Sequence, residues 1–547
     1  MQHADILRWS LGLQRLVLVL LWAAPLTMSW SAEDRQRGGV STVVQIYQDK
    51  CAVCHGAQLE GAAQGTPLID VSLRKGEDVD SLMASIAEGA PDQGMPAWST
   101  VFSDDDIKSL ALWISEVRTG MSYETFNYSH QITYSQLPIQ TQQASYYLYP
   151  VAQNIDRLPY SIAPLPDGSI LVTEKMRGLR LIDANGRKSE LIKGTPAVYD
   201  ETRDSSIGLE YGSGWLLDVA IHPDYADNGW IYLHHTDRCN NCNEMSRTLQ
   251  RPVSMNRLIR GRIKDGTWVD EEVIWQADIG SYTPGSDVAA GGRITFDPDG
   301  FVYLSTGMKS RDGIQSLASP HGKILRLHDD GRIPTDNPFV DEVDALPEIW
   351  TYGHRSPQGL EFNAQTGQLW GTEHGPRGGD EVNLLLPGRN YGWPLFSKGQ
   401  NYDGKEVAWG RETSEVTLAD IEQPVVDMTP SPAISSFVIY DGQAFPEWQG
   451  QLLVGSLKAM DVFRIKLLPQ EDGSYQYESE LIVENLARIR DIEVAPNGDV
   501  LLLLEHNDGG QIARITPQSL SLTERNKGHQ KPKRIIGRIA HEPSDTP

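Results

Sequence analysis

A short phrase that returns six times between residues 165 and 505 constrains the fold more than any other feature of this sequence. Each copy begins with a polar turn, most often of the Asp-Gly or Asn-Gly type, and runs into a strand of alternating or wholly apolar residues. A hairpin unit of this kind cannot bury its faces alone, so neighbouring copies have to pack together. The copies are LPDGSILVTE from Leu165, IHPDYADNGWIYLHH from Ile221, FDPDGFVYLST from Phe296, FNAQTGQLWGTE from Phe362, the degenerate FPEWQGQLLVGS from Phe445, and VAPNGDVLLLLE from Val494.

The spacing of these copies predicts an all-β, six-bladed propeller over residues 151–518. Successive copies begin roughly 50 to 85 residues apart, which leaves room for a four-stranded blade with loops of variable length. A β-sandwich or a β-helix is the alternative, but a β-helix would need shorter and stricter repeats. In a propeller the loops of every blade converge at the mouth of a central channel, where a ligand usually binds.

Residues 33–120 predict a second, small all-α domain, because their apolar residues recur at helical spacing. This domain contains the motif Cys51-Ala-Val-Cys54-His55. Two thiols at this spacing can form thioethers to haem, and the following imidazole can bind the iron, so the motif predicts one covalent haem c. A zinc site would need two further ligands nearby, and the other two cysteines of the chain are far away.

Met95 is the candidate for the sixth iron ligand. It lies about 40 residues after His55 in a Gly-Met-Pro turn, and its thioether would favour reduced iron. The competitor is Met83, which lies at helical spacing with Leu82 and Ile86, a pattern typical of a core position. The region resembles the class I cytochrome c family, and that resemblance implies Met95 as the distal ligand.

The segments outside these two domains predict export and a connection. Residues 1–32 carry two arginines, then an apolar run and small polar residues, which is the layout of a secretory signal and predicts a periplasmic protein. The apolar run is shorter than the roughly 20 residues of a membrane-spanning helix, so a permanent anchor is the less favoured alternative and no stable membrane insertion is expected. Residues 121–150 are predicted to be a linker, and residues 519–547 a basic, disordered tail.

The charge of the chain excludes some partners. Its 73 acidic and 48 basic residues give a formal net charge of −25, which repels nucleic acid and anionic lipid. A small neutral sugar or alcohol feels no such repulsion. The remaining cysteines, Cys239 and Cys242, lack a following histidine and predict a loop disulfide, with a redox-active pair as the alternative.

The densest polar stretch of the propeller region runs from residue 352 to residue 394. Its Gly-Pro and Gly-Gly turns free backbone carbonyls, and Asp380 and Glu381 add hard oxygens, a combination that suits calcium better than zinc. Turn-forming residues at a blade corner are the structural alternative. Farther on, Lys458, Arg488 and Arg490 are cations among strand residues that could hold a polyanionic ligand.

These stretches resemble the PQQ-dependent sugar dehydrogenases, both the soluble glucose dehydrogenases and the aldose sugar dehydrogenases. The resemblance runs from about Leu158 to Ile515 and rests on GHRSPQGL, EHGPRGGDEVN, NYGWP, GSLK and RIRD. It implies a six-bladed propeller that binds pyrroloquinoline quinone (PQQ) and Ca²⁺ at the channel mouth. The implied PQQ contacts are His374, Lys458, Arg488 and Arg490, the implied calcium carbonyls at PQQ are Gly375 and Pro376, and Glu381 and Tyr391 fall where the aldose enzymes place a structural calcium.

The sequence departs from this family at the catalytic base. Ala289 stands where the family has its histidine, and Met308 where it has the supporting acidic residue. Ser213 and Ser356 replace a glutamine and an asparagine around the same site. Loss of a general base costs roughly 10²–10⁴-fold in rate. Candidate replacement bases are His321, Asp287 and His374.

The sequence therefore predicts a multidomain periplasmic oxidoreductase, with a small all-α cytochrome c domain followed by an all-β six-bladed propeller. It would oxidise a sugar or related alcohol at PQQ and Ca²⁺ and pass the electrons through haem c to a downstream electron acceptor. The alternative is a propeller that has lost catalysis, binds a sugar or a partner, and carries an electron-transfer cytochrome.

Overall fold

The computed structural model describes residues 42–121, 130–201, 203–204 and 210–517. These residues form a small helical region and a large ring of β-sheets. The predicted signal sequence and the predicted basic tail lie outside the described residues. Within the described ranges, no helix combines the length and the apolar content that crossing a membrane requires.

The helical region packs its helices around the haem-binding motif. A capping box begins the last helix: the Ser103 side chain accepts from the Asp106 backbone, and the Asp106 side chain accepts from the Ser103 backbone. Tyr47, Leu82 and Trp113 are buried in one apolar cluster, with Cys51 partly buried against it. The helices are α1 (residues 42–50), α2 (Ala52–His55), α3 (Val79–Glu88) and α4 (Asp104–Arg118).

The β-region consists of six blades, and two short helices and a two-stranded ribbon interrupt the loops. The helices are α5 (Tyr225–Asn228) and α6 (Glu244–Leu249). In chain order the strands are β1 (Ile139–Gln140), β2 (Ser145–Ile155), β3 (Pro159–Pro164), β4 (Ile170–Glu174), β5 (Gly178–Ile182), β6 (Lys188–Leu191), β7 (Arg203–Asp204), β8 (Glu210–Tyr211), β9 (Leu216–Ile221), β10 (Ile231–Cys239), β11 (Val253–Lys264), β12 (Thr267–Gln276), β13 (Gly291–Phe296), β14 (Phe301–Thr306), β15 (Lys323–His328), β16 (Ile349–Tyr352), β17 (Pro357–Asn363), β18 (Gln368–Glu373), β19 (Glu381–Leu384), β20 (Val426–Asp427), β21 (Ile434–Ile439), β22 (Leu452–Ser456), β23 (Val462–Pro469), β24 (Tyr475–Val483), β25 (Arg488–Val494), β26 (Val500–Glu505) and β27 (Gly510–Thr516).

The six blades form a closed ring, which confirms the predicted propeller. Their first strands, β3, β9, β13, β17, β21 and β25, contact one another in that order, and β25 contacts β3. Five blades are four-stranded antiparallel meanders. The sixth has the order β1-β2-β27-β26-β25, so strands from before the first blade complete the last one.

This closure shortens the predicted linker at its C-terminal end. Residues 145–150 belong to β2, in which Leu148 pairs with Ile515 of β27. Tyr146 and Leu148 are buried in the core of the last blade. The sequence predicts a linker because this segment has tyrosines in place of aliphatic residues. Some of these tyrosines belong to the core of the last blade. Residues 122–129 of the predicted linker lie outside the described residues.

The repeated phrase is the first hairpin of every blade. Each copy connects the first strand of its sheet to the second, and its glycine has a positive φ that a side chain would strain. The six equivalent glycines are Gly168, Gly229, Gly300, Gly367, Gly450 and Gly498, with φ between 68° and 84°. Local turn chemistry in the sequence therefore marks the blades.

Candidate active site and haem site

The haem-binding motif begins at Cys51, in the turn after α1, and continues through α2. Cys51 and Cys54 are free thiols, both half-buried. The His55 Nδ1–H donates to the Thr66 carbonyl over 2.8 Å, which fixes the ring and leaves Nε2 for iron. Two thiols and an oriented imidazole fit covalent haem c.

The two methionines have different environments. Met83, on α3, packs against the apolar core of the domain. Met95 lies in the loop before α4 and pairs its backbone with Ala90. The packing of Met83 is that of a core residue, as the sequence pattern predicts, so Met95 stays the better candidate for the distal ligand.

A group of buried cations surrounds one carboxylate in the propeller. Glu505, at the end of β26, accepts from Arg490 Nε at 2.7 Å, from Arg488 Nε at 2.9 Å and from Lys175 Nζ at 3.1 Å. Their positive charges hold the pKa of Glu505 far below its usual range, although burial opposes this shift. The two arginines outweigh the single negative charge of Glu505 whether or not Lys175 is protonated, so net positive charge remains in a buried place. Such a site suits an additional anion, and we call it the cation group.

The loop from His374 to Asp380 lies beside these cations. The Asp380 carboxylate is 1% exposed and accepts from the Gly375 N–H at 3.0 Å and from the Ile434 N–H at 2.9 Å. Asp380 therefore ties the loop to β21. Lys458, also buried, faces Asp380, and burial lowers the pKa of Lys458 while Glu116 and Asp380 oppose that shift.

His374 is a neutral imidazole between two arginines. Burial, then Arg355 and Arg490, lower the pKa of His374 to about 3. Its Nε2 is buried and has no hydrogen-bond partner. Because a base this weak accepts a proton poorly at neutral pH, the environment favours a binding role for His374.

The predicted structural calcium site contains an uncompensated carboxylate. Burial, and then the Glu373 carboxylate on the neighbouring strand, raise the pKa of Glu381 to about 8. Asn383 donates to Glu381, while its own Oδ1 is buried without a partner. Tyr391 stacks on His354 with 4.7 Å between ring centroids, and its hydroxyl contacts the Leu384 carbonyl.

Carboxylate and amide oxygens grouped in this way suit a hard cation. Within the described ranges, no three His, Cys, Asp or Glu side chains come together as a ready metal cluster. A calcium ion at either predicted position would therefore depend on carbonyl or amide oxygens in addition to carboxylates.

The residues at which the sequence predicts a departure from the family pattern lie together. A Cβ on Gly307 would come within 1.9 Å of the Ala289 carbonyl, so the Ala289 turn lies against the residue that precedes Met308. The Met308 N–H donates to the Arg355 carbonyl over 2.7 Å, and the His374 N–H donates to the Ser356 carbonyl over 3.1 Å. The predicted departures therefore fall in one place, next to His374.

The other two candidate bases are held by neighbouring groups. Asp287 forms a fully buried ion pair with Lys309 and accepts from the Gly214 N–H at 2.6 Å. His321 lines a cavity of about 650 Å³, and its Nε2–H donates to the Ser281 carbonyl. Burial lowers the pKa of His321 to about 4. Both environments favour structural roles for these residues.

The Cys239 and Cys242 side chains form a disulfide, as the sequence predicts. It joins the end of β10 to the turn before α6. Neither cysteine belongs to the cation group.

Sequence reasoning missed Lys175, Glu505 and Arg355. A signal for Glu505 exists, because three copies of the repeated phrase end in glutamate. Each of these glutamates binds basic or imidazole groups: Glu174 pairs with Arg180, Glu373 with His354, and Glu505 with the cation group. The end of the second strand of a blade is thus where charged groups meet.

Two families of known proteins match this chain. The sequence profile described as Glucose / Sorbosone dehydrogenase matches residues 156–514. The profile described as Cytochrome C oxidase, cbb3-type, subunit III matches residues 39–114. The two matches together span the helical region and the propeller.

Individual relatives agree with the family match. The aldose sugar dehydrogenase YliI of Escherichia coli is 31% identical over 400 residues, which cover 71% of this chain and 100% of that protein. Quinoprotein glucose dehydrogenase B of Acinetobacter calcoaceticus is 28% identical over 426 residues, covering 66% and 85%. The crystal structure of the apo-form of the soluble E. coli aldose sugar dehydrogenase superposes with a TM-score of 0.57 at 31% identity, covering 68% of this chain and 100% of that one.

Proposed function

The chain belongs to the glucose/sorbosone dehydrogenase family and carries an N-terminal cytochrome c domain, and we propose that it oxidises a sugar or related alcohol with PQQ and Ca²⁺. The electrons then pass to haem c in the same chain and on to an acceptor in the periplasm. The observation that carries this proposal is the cation group, whose positive charges exceed the negative charge of Glu505.

Each part of the site has a role in this proposal. When bound, PQQ and Ca²⁺ supply a polarised quinone that takes two electrons from a carbinol carbon, and haem iron supplies a one-electron acceptor. Arg488, Arg490 and Lys458 bind carboxylates of the cofactor. The carbonyls of Gly375 and Pro376 are held by the Asp380 loop for calcium, and His374 orients the cofactor as a neutral group.

The test is reconstitution with PQQ and Ca²⁺, followed by a screen for haem reduction over sugars and alcohols. We expect Ca²⁺-dependent PQQ uptake in calorimetry and reduction of haem by at least one class of substrate. Arg490→Gln should weaken uptake strongly, because it removes one of the three cations. Arg332→Gln, which breaks only the exposed pair with Asp330, is the matched control and should bind like the parent. Folded protein that takes up no PQQ would contradict the proposal.

A second function is favoured by the residue types at two positions. The sequence resemblance puts Ala289 and Met308 where the family has its base and the supporting acid, and a propeller without these groups would bind cofactor or sugar without efficient oxidation. Restoring both groups in Ala289→His with Met308→Asp should then raise turnover roughly 10²–10⁴-fold. A parent that already turns over as fast as this double variant would exclude the non-catalytic alternative.

A further inference from the structure

Helix α4 contacts both domains through different faces. Toward its own domain, the Trp113 ring lies 4.7 Å from the Tyr47 ring, centroid to centroid, in the cluster that also holds Cys51. Toward the propeller it turns Ser109, Leu112 and Glu116, whose spacing places them on one helical face. The helix therefore separates the haem-binding motif from the propeller by one helix diameter, about 10 Å.

The contact with the propeller is polar and buried. Glu116 Oε2 lies 3.2 Å from Arg377 Nη2, and the two side chains are only 3% and 1% exposed. Ser109 Oγ donates to Gln400 Oε1 over 2.8 Å, and Gln400 Nε2 donates to the Asp105 carbonyl over 2.9 Å. A buried ion pair with hydrogen-bonded neighbours gives a specific rather than a sliding contact.

Two propeller glycines allow the helix to come this close. A Cβ on Gly378 would lie 3.2 Å from Leu112 Cδ2, and a Cβ on Gly404 would lie 3.1 Å from Ser109 Oγ. Both glycines have a positive φ, so their loops present backbone to the helix. The surface of α4 and the loops around residues 378 and 404 are thus complementary in shape.

We propose that this face of α4 is the docking surface that holds the cytochrome domain on the cofactor loop, and that Glu116 is the residue that positions it. Arg377 belongs to the His374–Asp380 loop, so the pair with Glu116 joins the haem domain to the segment that carries Gly375 and Pro376. Order in that loop and docking of α4 are therefore coupled. Electrons from the cofactor would cross this surface to reach haem, and that step alone rests on the proposed function.

The docking is tested by hydrogen exchange on the full chain with Glu116→Gln. We expect amide exchange at least about tenfold faster in α4, in residues 375–380 and in residues 399–404 together, because a buried charge pair dominates the dissociation rate of its interface. The matched control is Glu88→Gln, which removes an exposed pair with Lys75 in the same domain. Unchanged exchange in Glu116→Gln, or equal changes in both variants, would overturn the proposal.

A double-mutant cycle isolates the pair. Glu116→Gln and Arg377→Gln should each speed exchange, and the double variant should be no faster than the worse single variant, because both remove the same interaction. Additive effects would overturn the assignment of Glu116 to Arg377. If Glu116→Gln does not fold, Gln400→Ala replaces it, since Gln400 contacts both Ser109 and Asp105.

Electron transfer gives the functional readout. In protein loaded with PQQ and Ca²⁺, Glu116→Gln should slow haem reduction by reduced cofactor about tenfold or more, with an unchanged haem potential. Failure to load PQQ contradicts the proposed function, whereas the exchange experiment still decides the docking surface. Normal haem reduction together with disrupted docking would overturn the role of this surface in electron transfer.

Discussion

Met95 and Met83 show how local surroundings assign different roles to one residue type. Met83 lies on α3 and packs on the core of the helical domain, whereas Met95 lies in a glycine-rich turn whose backbone pairs with Ala90. A ligand to iron needs a thioether that is not already committed to packing. The environment of Met95 meets that requirement. For His55, the hydrogen bond from Nδ1 to the Thr66 carbonyl leaves Nε2 for iron.

Met95→Ala should leave haem covalently attached, because both thiols remain, but it should remove the methionine–iron spectrum and lower the reduction potential. Absorption spectroscopy and a redox titration measure both effects. Met83→Ala is the control and should keep the spectrum while losing stability, by less than the roughly 2–5 kcal/mol of a fully buried methionine, because Met83 is only partly buried. An unchanged spectrum in Met95→Ala would remove this residue from the ligand set.

Lys175 makes the stability of the cofactor-free protein depend on pH. Burial, and then the Arg490 charge, lower the pKa of Lys175 to about 7, whereas an unfolded lysine titrates near 10.4. Between these values the unfolded chain binds more protons than the folded one, so stability should rise with pH, by roughly 1–3 kcal/mol from pH 7 to pH 9.

Urea unfolding at several pH values measures this contribution as the difference between the parent and Lys175→Met. The Lys175→Met variant should lack this contribution to the rise of stability with pH. Lys466→Met, at an exposed strand position paired with Glu478, should keep it. A parent and a Lys175→Met variant with parallel pH profiles would show that Lys175 stays charged.

At the scale of elements, the sequence predicts what local chemistry determines. Each of these turns has a glycine with positive φ, preceded by Asp or Asn in four of the six blades, so local residue types identify the first hairpins. The closing strand β2 is different, because only its pairing with β27, more than 350 residues later, makes Tyr146 and Leu148 core residues. Glu116 and Arg377 are 261 residues apart, and no local pattern predicts their contact.

The loop after β18 should respond to calcium even without PQQ. Glu381 is half-buried and pairs across the strands with Glu373, and the Asn383 Oδ1 lacks a partner, so a bound cation would relieve repulsion in the folded state alone. Ca²⁺ at about 100 times its dissociation constant would add roughly 2.7 kcal/mol. Calorimetry should show a Ca²⁺-dependent rise in Tm that Glu381→Gln loses and that the exposed Glu478→Gln keeps. If Ca²⁺ raised the Tm of Glu381→Gln as much as that of the parent, the ion would have to bind elsewhere.

At the scale of the whole molecule, the covalent connection decides how often the two domains meet. Of the predicted linker of residues 121–150, the part from 139 onward contributes strands to the last blade. Residues 130–138 also lie against that blade, where Tyr134 donates to Gln511 Oε1 over 2.8 Å and Ile132 packs on the core. The two domains are therefore joined by a short length of chain. A short tether sets a local concentration of order millimolar, at which even a weak contact is well populated.

Haem reduction by cofactor should therefore be first order and independent of protein concentration. The measurement is stopped-flow absorption after addition of a working substrate, or after chemical reduction of PQQ if no substrate is found, over a tenfold dilution of protein. Because both redox groups belong to one chain, dilution changes how often molecules collide but not how often the two domains meet. A chain with Cys51→Ala and Cys54→Ala, which cannot attach haem, supplies the control when mixed with PQQ-free parent, since electrons must then cross between molecules. A rate for the intact protein that falls in proportion to dilution, as in that mixture, would show that the two domains exchange electrons only between chains.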